Sequence, residues 1–127
     1  INMPVLKGHC QTAVTCALKN HKGVIPNSEK RRFHTLGLHK PIAHLNTIAK
    51  NDFILVDNIC GDLDFEEGGN PVVMNRILGF LDPVLCDAWV CDSMGYRTGE
   101  KAGWICGTGG CVQRLLWIPD LCAGPAE

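Results

Sequence analysis

Phe53-Ile-Leu-Val-Asp-Asn-Ile-Cys60 is the run whose reading decides the fold. Its apolar residues fall on both alternating faces, as in a strand of a parallel sheet covered by helices on each side. Helical periodicity flanks it. Upstream, about Gly37 to Lys50, Leu38, Ile42, Leu45 and Ile48/Ala49 recur at helical spacing, and Pro41 fits only the first turn. Downstream, Asp82-Pro83 joins an aspartate N-cap to a proline at N1. The helix they open runs through Val84, Leu85, Ala88 and Cys91 to Met94, and Gly95 stops it.

Further out, Ile1 to Leu6 reads as a short strand. Thr12 to Lys22 reads as a helix, with Thr12 as N-cap, Gly23 as C-cap and an apolar stripe of Ala13, Val14, Ala17 and Leu18. Val24 to Arg32, with Pro26, reads as a polar, basic, mobile loop. Gly61 to Asn70 is an acidic loop, and Pro71 to Leu81 holds one or two short strands. A shorter helix at about Gly99 to Cys106, a strand at Val112 to Ile118 and an irregular tail at Pro119 to Glu127 complete the chain. Alternation of strands and helices predicts an α/β layered fold, a mainly parallel sheet flanked by helices, in one domain over residues 1–127.

Length and composition agree with a single globular domain: 127 residues, 46% hydrophobic and 20% charged. No apolar run is long enough to span a bilayer, so no membrane partner is expected. The chain opens at Ile1 in a strand-like segment. It is therefore expected to be the C-terminal portion of a longer protein, with a missing N-terminal half. The apolar face left by that half would favour self-association, a homodimer included.

Charge is uneven. Residues 1–50 hold eight of the twelve Lys/Arg, all five histidines and one acid, Glu29; residues 51–127 hold the other twelve acids. Either the two halves attract each other across the fold, or the basic half forms a site for an anionic ligand. Nucleic acid is not expected, because the basic half has a single aromatic residue, Phe33, and no nucleic-acid motif.

Eight cysteines lie at 10, 16, 60, 86, 91, 106, 111 and 122, with no C-x-x-C pair. That spacing fits neither a zinc ribbon nor a ferredoxin. Several sit among apolar neighbours, where free cysteine acts as a small hydrophobe. The expectation is reduced core thiols, a reducing cytoplasm, and no metal or cluster bound by this chain.

The site candidates cluster early. Lys7 and His9 end the first strand, where ligand sites of open α/β sheets gather. Small apolar residues then lead into a helix start that can hold an anion. Lys7, His9 and Asp57 are the catalytic candidates; Thr12, Thr15, Lys19 and Asn20 are the ligand-binding ones. For Lys19 and Asn20, helix-end capping competes. Asp57 can equally cap a turn. His34, His39 and His44 read as surface residues, and Asp62, Asp64, Glu66 and Glu67 as a solvated loop without calcium-loop spacing.

The chain resembles a known family. Asn2-Met-Pro-Val-Leu-Lys-Gly-His9 and Thr12-Ala-Val-Thr-Cys-Ala-Leu-Lys-Asn20 are similar to the N-x-P-x-x-K-x-H…T-G-V-T-G-A-x-K-N signature of the family filed as domain of unknown function 362. Gly37-Leu-His39, Val56-Asp57, Gly68-Gly69-Asn70-Pro71, Asp82-Pro83-Val84, Asp87-Ala88 and Met94-Gly95 follow in the family's order. The resemblance implies a bacterial or archaeal protein, often from an anaerobe, of unknown activity. Many members carry a ferredoxin-like segment with two four-iron clusters, and that segment's cysteine run is absent from this sequence. Cys16 stands where the signature has glycine.

Two function classes follow. In one, the domain binds a small anionic ligand near Lys7 and His9 as part of a larger enzyme or redox protein. In the other, it is a non-catalytic binding or scaffold module for an iron–sulfur, ferredoxin-like partner.

Overall fold

The structure, a computed structural model, describes residues 1–96. The expected helix at 99–106, strand at 112–118 and tail at 119–127 lie outside the described residues.

Strand β3 (Ile54–Asp62) forms where the apolar run predicts it. The expected mainly parallel sheet does not. β3 pairs antiparallel with β4 (Pro71–Phe80), and a second two-stranded antiparallel sheet joins β1 (Lys7–His9) to β2 (Ala13–Thr15). The physical reason is connection length. Only residues 63–70 separate β3 from β4, whereas a parallel partner needs a crossover of a dozen or more residues. Gly68 (φ 85°) and Gly69 (φ 142°) supply the backbone conformations for the return. Asp62 ties the loop down, accepting from the backbone N–H groups of Asp64, Phe65 and Asn70 at 2.9, 2.9 and 2.8 Å.

Parallel pairing survives at one flank. The extended Ile1–Leu6 segment runs beside β3 through bridges Asn2/Ile54 and Val5/Asp57. Four backbone hydrogen bonds hold it, from Asn2 to Phe53, Leu55 to Asn2, Asp57 to Pro4 and Leu6 to Asp57. On β3, Ile54, Val56 and Asn58 face inward and are buried. Asp57 and Ile59 face out, so the apolar residues of the outer face are not covered within the described residues. A bulge between Asn58 and Cys60, with Asn75 at φ 51° opposite, shifts the register midway.

The Thr12–Lys22 helix is shorter than its periodicity suggests. Residues 13–15 are strand β2. Helix α1 covers only Ala17–Asn20, and a 3-10 turn, His21–Val24, follows with Gly23 inside it. Thr12 is not its N-cap: the Thr12 hydroxyl donates to the Val14 carbonyl at 2.9 Å. Val14 N–H also reaches back to the Thr12 carbonyl at 2.7 Å across Ala13, whose φ is 63°. This is a γ-turn, a conformation that strains a side-chain-bearing residue.

The basic stretch expected as a loop is largely helix α2 (Asn27–Thr35), entered at Pro26, whose carbonyl accepts from Glu29 and Lys30 N–H. Helix α3 (His39–Ile48) keeps Pro41 in its first turn. Helix α4 (Pro83–Ser93) starts as predicted: the Asp82 carboxylate accepts from Val84 N–H at 2.8 Å and Leu85 N–H at 2.9 Å, and Gly95 (φ 77°) lies just past its end.

Two apolar clusters hold these elements. Leu6, Val14, Ala17, Ile54, Val56 and Val90 pack with Cys16, Cys86 and Cys91. Leu18, Leu38, Ile42, Val84 and Ala88 form the other. Between them, fully buried Asp87 of α4 accepts from Ala17 N–H at 2.7 Å and Leu18 N–H at 3.2 Å, supplying the N-terminal cap that α1 has no local residue for.

Candidate functional site

The β1–β2 hairpin brings the early polar residues to one place. Lys7 and His9 are two apart on a strand and share a face, and Lys7 sits opposite Thr15 in register. One turn later, Lys19 reaches back from α1, and its Nζ donates to the Thr15 hydroxyl at 3.0 Å. The acidic loop then closes over this group. A Cβ on Gly8 would sit 2.6 Å from backbone carbon atoms of Leu63 and Asp64, so glycine alone lets the loop pass this close.

Glu66 is the residue that the close approach delivers. One carboxylate oxygen lies 3.1 Å from His9 Nε2 and the other 3.0 Å from Lys19 Nζ. Lys7 Nζ donates to the Glu66 carbonyl at 3.4 Å. His9 is buried, and its Nδ1 accepts from the backbone N–H groups of Gln11 (3.1 Å) and Thr12 (3.2 Å). An Nδ1 that accepts leaves the proton on Nε2, which therefore donates to Glu66. Both ring nitrogens are thus committed. In this arrangement His9 anchors a carboxylate and is not free to move a proton.

The electrostatics agree. Burial lowers the His9 pKa first, and Lys19 lowers it further; Glu66 opposes them. Burial alone would raise the Glu66 carboxyl, but the hydrogen bond and charge of Lys19, with His9 and Lys7, hold it below its usual value. Lys22, on the 3-10 turn, is lowered by its own burial and by Lys19.

These shifts set a pH dependence. A histidine depressed in the folded state stays neutral while the unfolded chain takes up a proton, so stability falls as pH drops below the ordinary histidine value of 6.5. The charged groups acting on His9 are Lys19, Glu66, His34 and Lys22. Urea unfolding at pH 7.5 and 5.5 should show a larger loss for the wild type than for His9→Gln. Equal losses would remove His9 from the pH response.

The other sequence candidates lie elsewhere. Asp57 is exposed on the outer face of β3, and its carboxylate accepts from Ile59 N–H at 3.0 Å, a local turn-like contact apart from the cationic group. Asn20 donates to the Asn2 side chain at 2.7 Å, and Asn2 donates to the Ala17 carbonyl at 2.8 Å, so Asn20 locks α1 to the first segment. Thr12 contributes its backbone N–H to His9. His34, His39 and His44 are exposed. Glu66, which the sequence alone places in a solvated loop, is instead the carboxylate at the centre of the group. The signal for it was the opposition of a basic N-terminal half to an acidic loop.

Lys7, His9, Thr15, Lys19 and Glu66 all fall within the stretch matched by a family model described as Domain of unknown function (DUF362), which covers residues 1–92. The chain belongs to that family. No curated protein and no solved structure matches it. The DUF362 match also includes Cys16, Cys86 and Asp87, which meet in the core. Among the described residues, no helix is long and apolar enough to cross a membrane.

Proposed function

We propose that this DUF362 domain binds a small anionic ligand at Lys7, His9 and Lys19, as part of a larger enzyme or redox protein. One observation carries the reading: the Glu66 carboxylate is held oxygen by oxygen, one by a lysine ammonium and one by an imidazole N–H. That is how a bound carboxylate or phosphate is held. Glu66 thus stands in for the ligand. Its side chain keeps about a third of its exposure, so solvent reaches the carboxylate. The Thr15 hydroxyl accepts from Lys19 and keeps its own hydrogen for an incoming oxygen.

Competition between Glu66 and free anions tests this. Titration calorimetry with acetate and with phosphate should give tighter binding to Glu66→Ala than to the wild type, by about tenfold or more, since a charge-assisted contact contributes about 1.5–3 kcal/mol. Lys19→Ala and Lys7→Ala should bind more weakly and still fold. If Glu66→Ala binds neither anion, the proposal fails.

A scaffold role beside a ferredoxin-like partner is the second reading. The observation favouring it is the apolar side of the β3–β4 hairpin that the described residues leave uncovered, where Ile59, Val73 and Ile77 are 47%, 66% and 64% exposed. An absence of anion binding in every variant would leave this reading standing.

A further inference from the structure

We propose that Cys16, Cys86 and Asp87 form a site for one thiophilic divalent cation of the zinc class. Their ligand atoms all lie within 4.8 Å of one another, and all three residues are buried. Cys16 comes from the residue before α1 and the other two from α4, so an ion there would join two elements that already pack together.

Three features of the geometry support a metal over simple packing. The two sulfurs are 3.8 Å apart. Zinc–sulfur bonds of about 2.3 Å at a tetrahedral angle place two sulfurs about 3.8 Å apart. The Asp87 oxygens each accept one backbone N–H, from Ala17 and Leu18. The carboxylate also takes a hydrogen bond from the Cys16 side chain, the contact that an ion bound by both groups would replace, and the two N–H groups fix it as outer-shell partners do. Finally, the surroundings are apolar: Val14, Ala17, Ile54, Val56 and Val90 share the cluster with both thiols. A carboxylate and two thiols in such a setting are costly to ionise, and a divalent cation offsets that cost.

Cysteine binds such an ion as thiolate, so loading releases thiol protons and affinity rises with pH. Three protein ligands leave one tetrahedral position. Cys91, four residues beyond Asp87 and so on the same side of α4, is the next buried thiol along that helix. The set cannot hold a four-iron cluster, which takes four thiolates.

The test uses the full chain with Cys10, Cys60, Cys106, Cys111 and Cys122 changed to serine, so that the other thiols do not compete. Because the site is buried, the protein is refolded with Co2+ under reducing conditions. One equivalent should give a thiolate-to-cobalt charge-transfer band in the near ultraviolet, and Zn2+ should bleach it. Cys16→Ala and, as a volume-conserving second variant, Cys86→Val should each weaken binding on the order of 100-fold while keeping the far-ultraviolet dichroism. No band in the parent protein, or a band that persists in both variants, overturns the proposal.

Discussion

Asp87→Ala should destabilise the domain by about 4 kcal/mol. The change strands two buried N–H groups, Ala17 and Leu18, at about 1–3 kcal/mol each, and leaves a cavity. Asp87→Asn keeps one acceptor and should lose about half as much. Burial raises the Asp87 carboxyl to about 7, against the hydrogen bonds that lower it. An acid raised in the folded state adds stability that is full below its ordinary value of 3.8 and is lost as pH rises through about 7. The penalty for Asp87→Ala should therefore be greater at pH 5 than at pH 8. Urea unfolding of metal-free protein at both values measures it. A loss under about 1 kcal/mol would mean that α1 needs no cap from α4.

Gly8→Ala should cost about 3 kcal/mol or more, the upper range for overpacking a core. The added Cβ meets the Leu63 carbonyl and the Leu63 and Asp64 backbone, not a side chain that can turn away. Either the hairpin or the acidic loop must move, and Glu66 with it. Gly23→Ala is the control: nothing lies within 4 Å of its Cβ position, and it should be within about 0.5 kcal/mol of wild type. Similar losses for the two variants would show that the loop does not press on β1.

Local signals in the sequence carried much of this architecture. Asp82, Pro83 and Gly95 marked α4 at both ends, and the Phe53–Cys60 run marked β3, because caps and strand runs act over a few residues. The pairing direction was not local. An apolar run on both faces reads as a covered parallel strand, but among the described residues Ile59 and Ile77 lie uncovered on an antiparallel hairpin. Nor does helical periodicity at 12–22 reveal that the His9 ring takes the N–H groups of Gln11 and Thr12, or that Ala13 turns at positive φ.

The candidate site was legible in the same partial way. Lys7, His9, Thr15 and Lys19 stand out by residue type; His9 and Lys19 hold the Glu66 carboxylate, Lys7 donates to the Glu66 main-chain carbonyl, and Thr15 accepts from Lys19. Glu66 is 47 residues from Lys19 in the chain, and nothing near it in sequence marks it as the partner. Asp57 stands near the end of an apolar run in the sequence, yet alternation along β3 turns it outward. The meeting of Cys16 with Cys86, 70 residues apart, is equally invisible to spacing.

The claim that Glu66 occupies a ligand's place is tested most directly at the His9 ring. Nitrogen-15 NMR should show a neutral imidazole with the proton on Nε2. Titrating acetate should move the Nε2 signal, saturating at lower concentration in Glu66→Ala than in the wild type and not responding in Lys19→Ala. An Nε2 signal that ignores acetate in Glu66→Ala, or responds equally in all three proteins, would contradict the account.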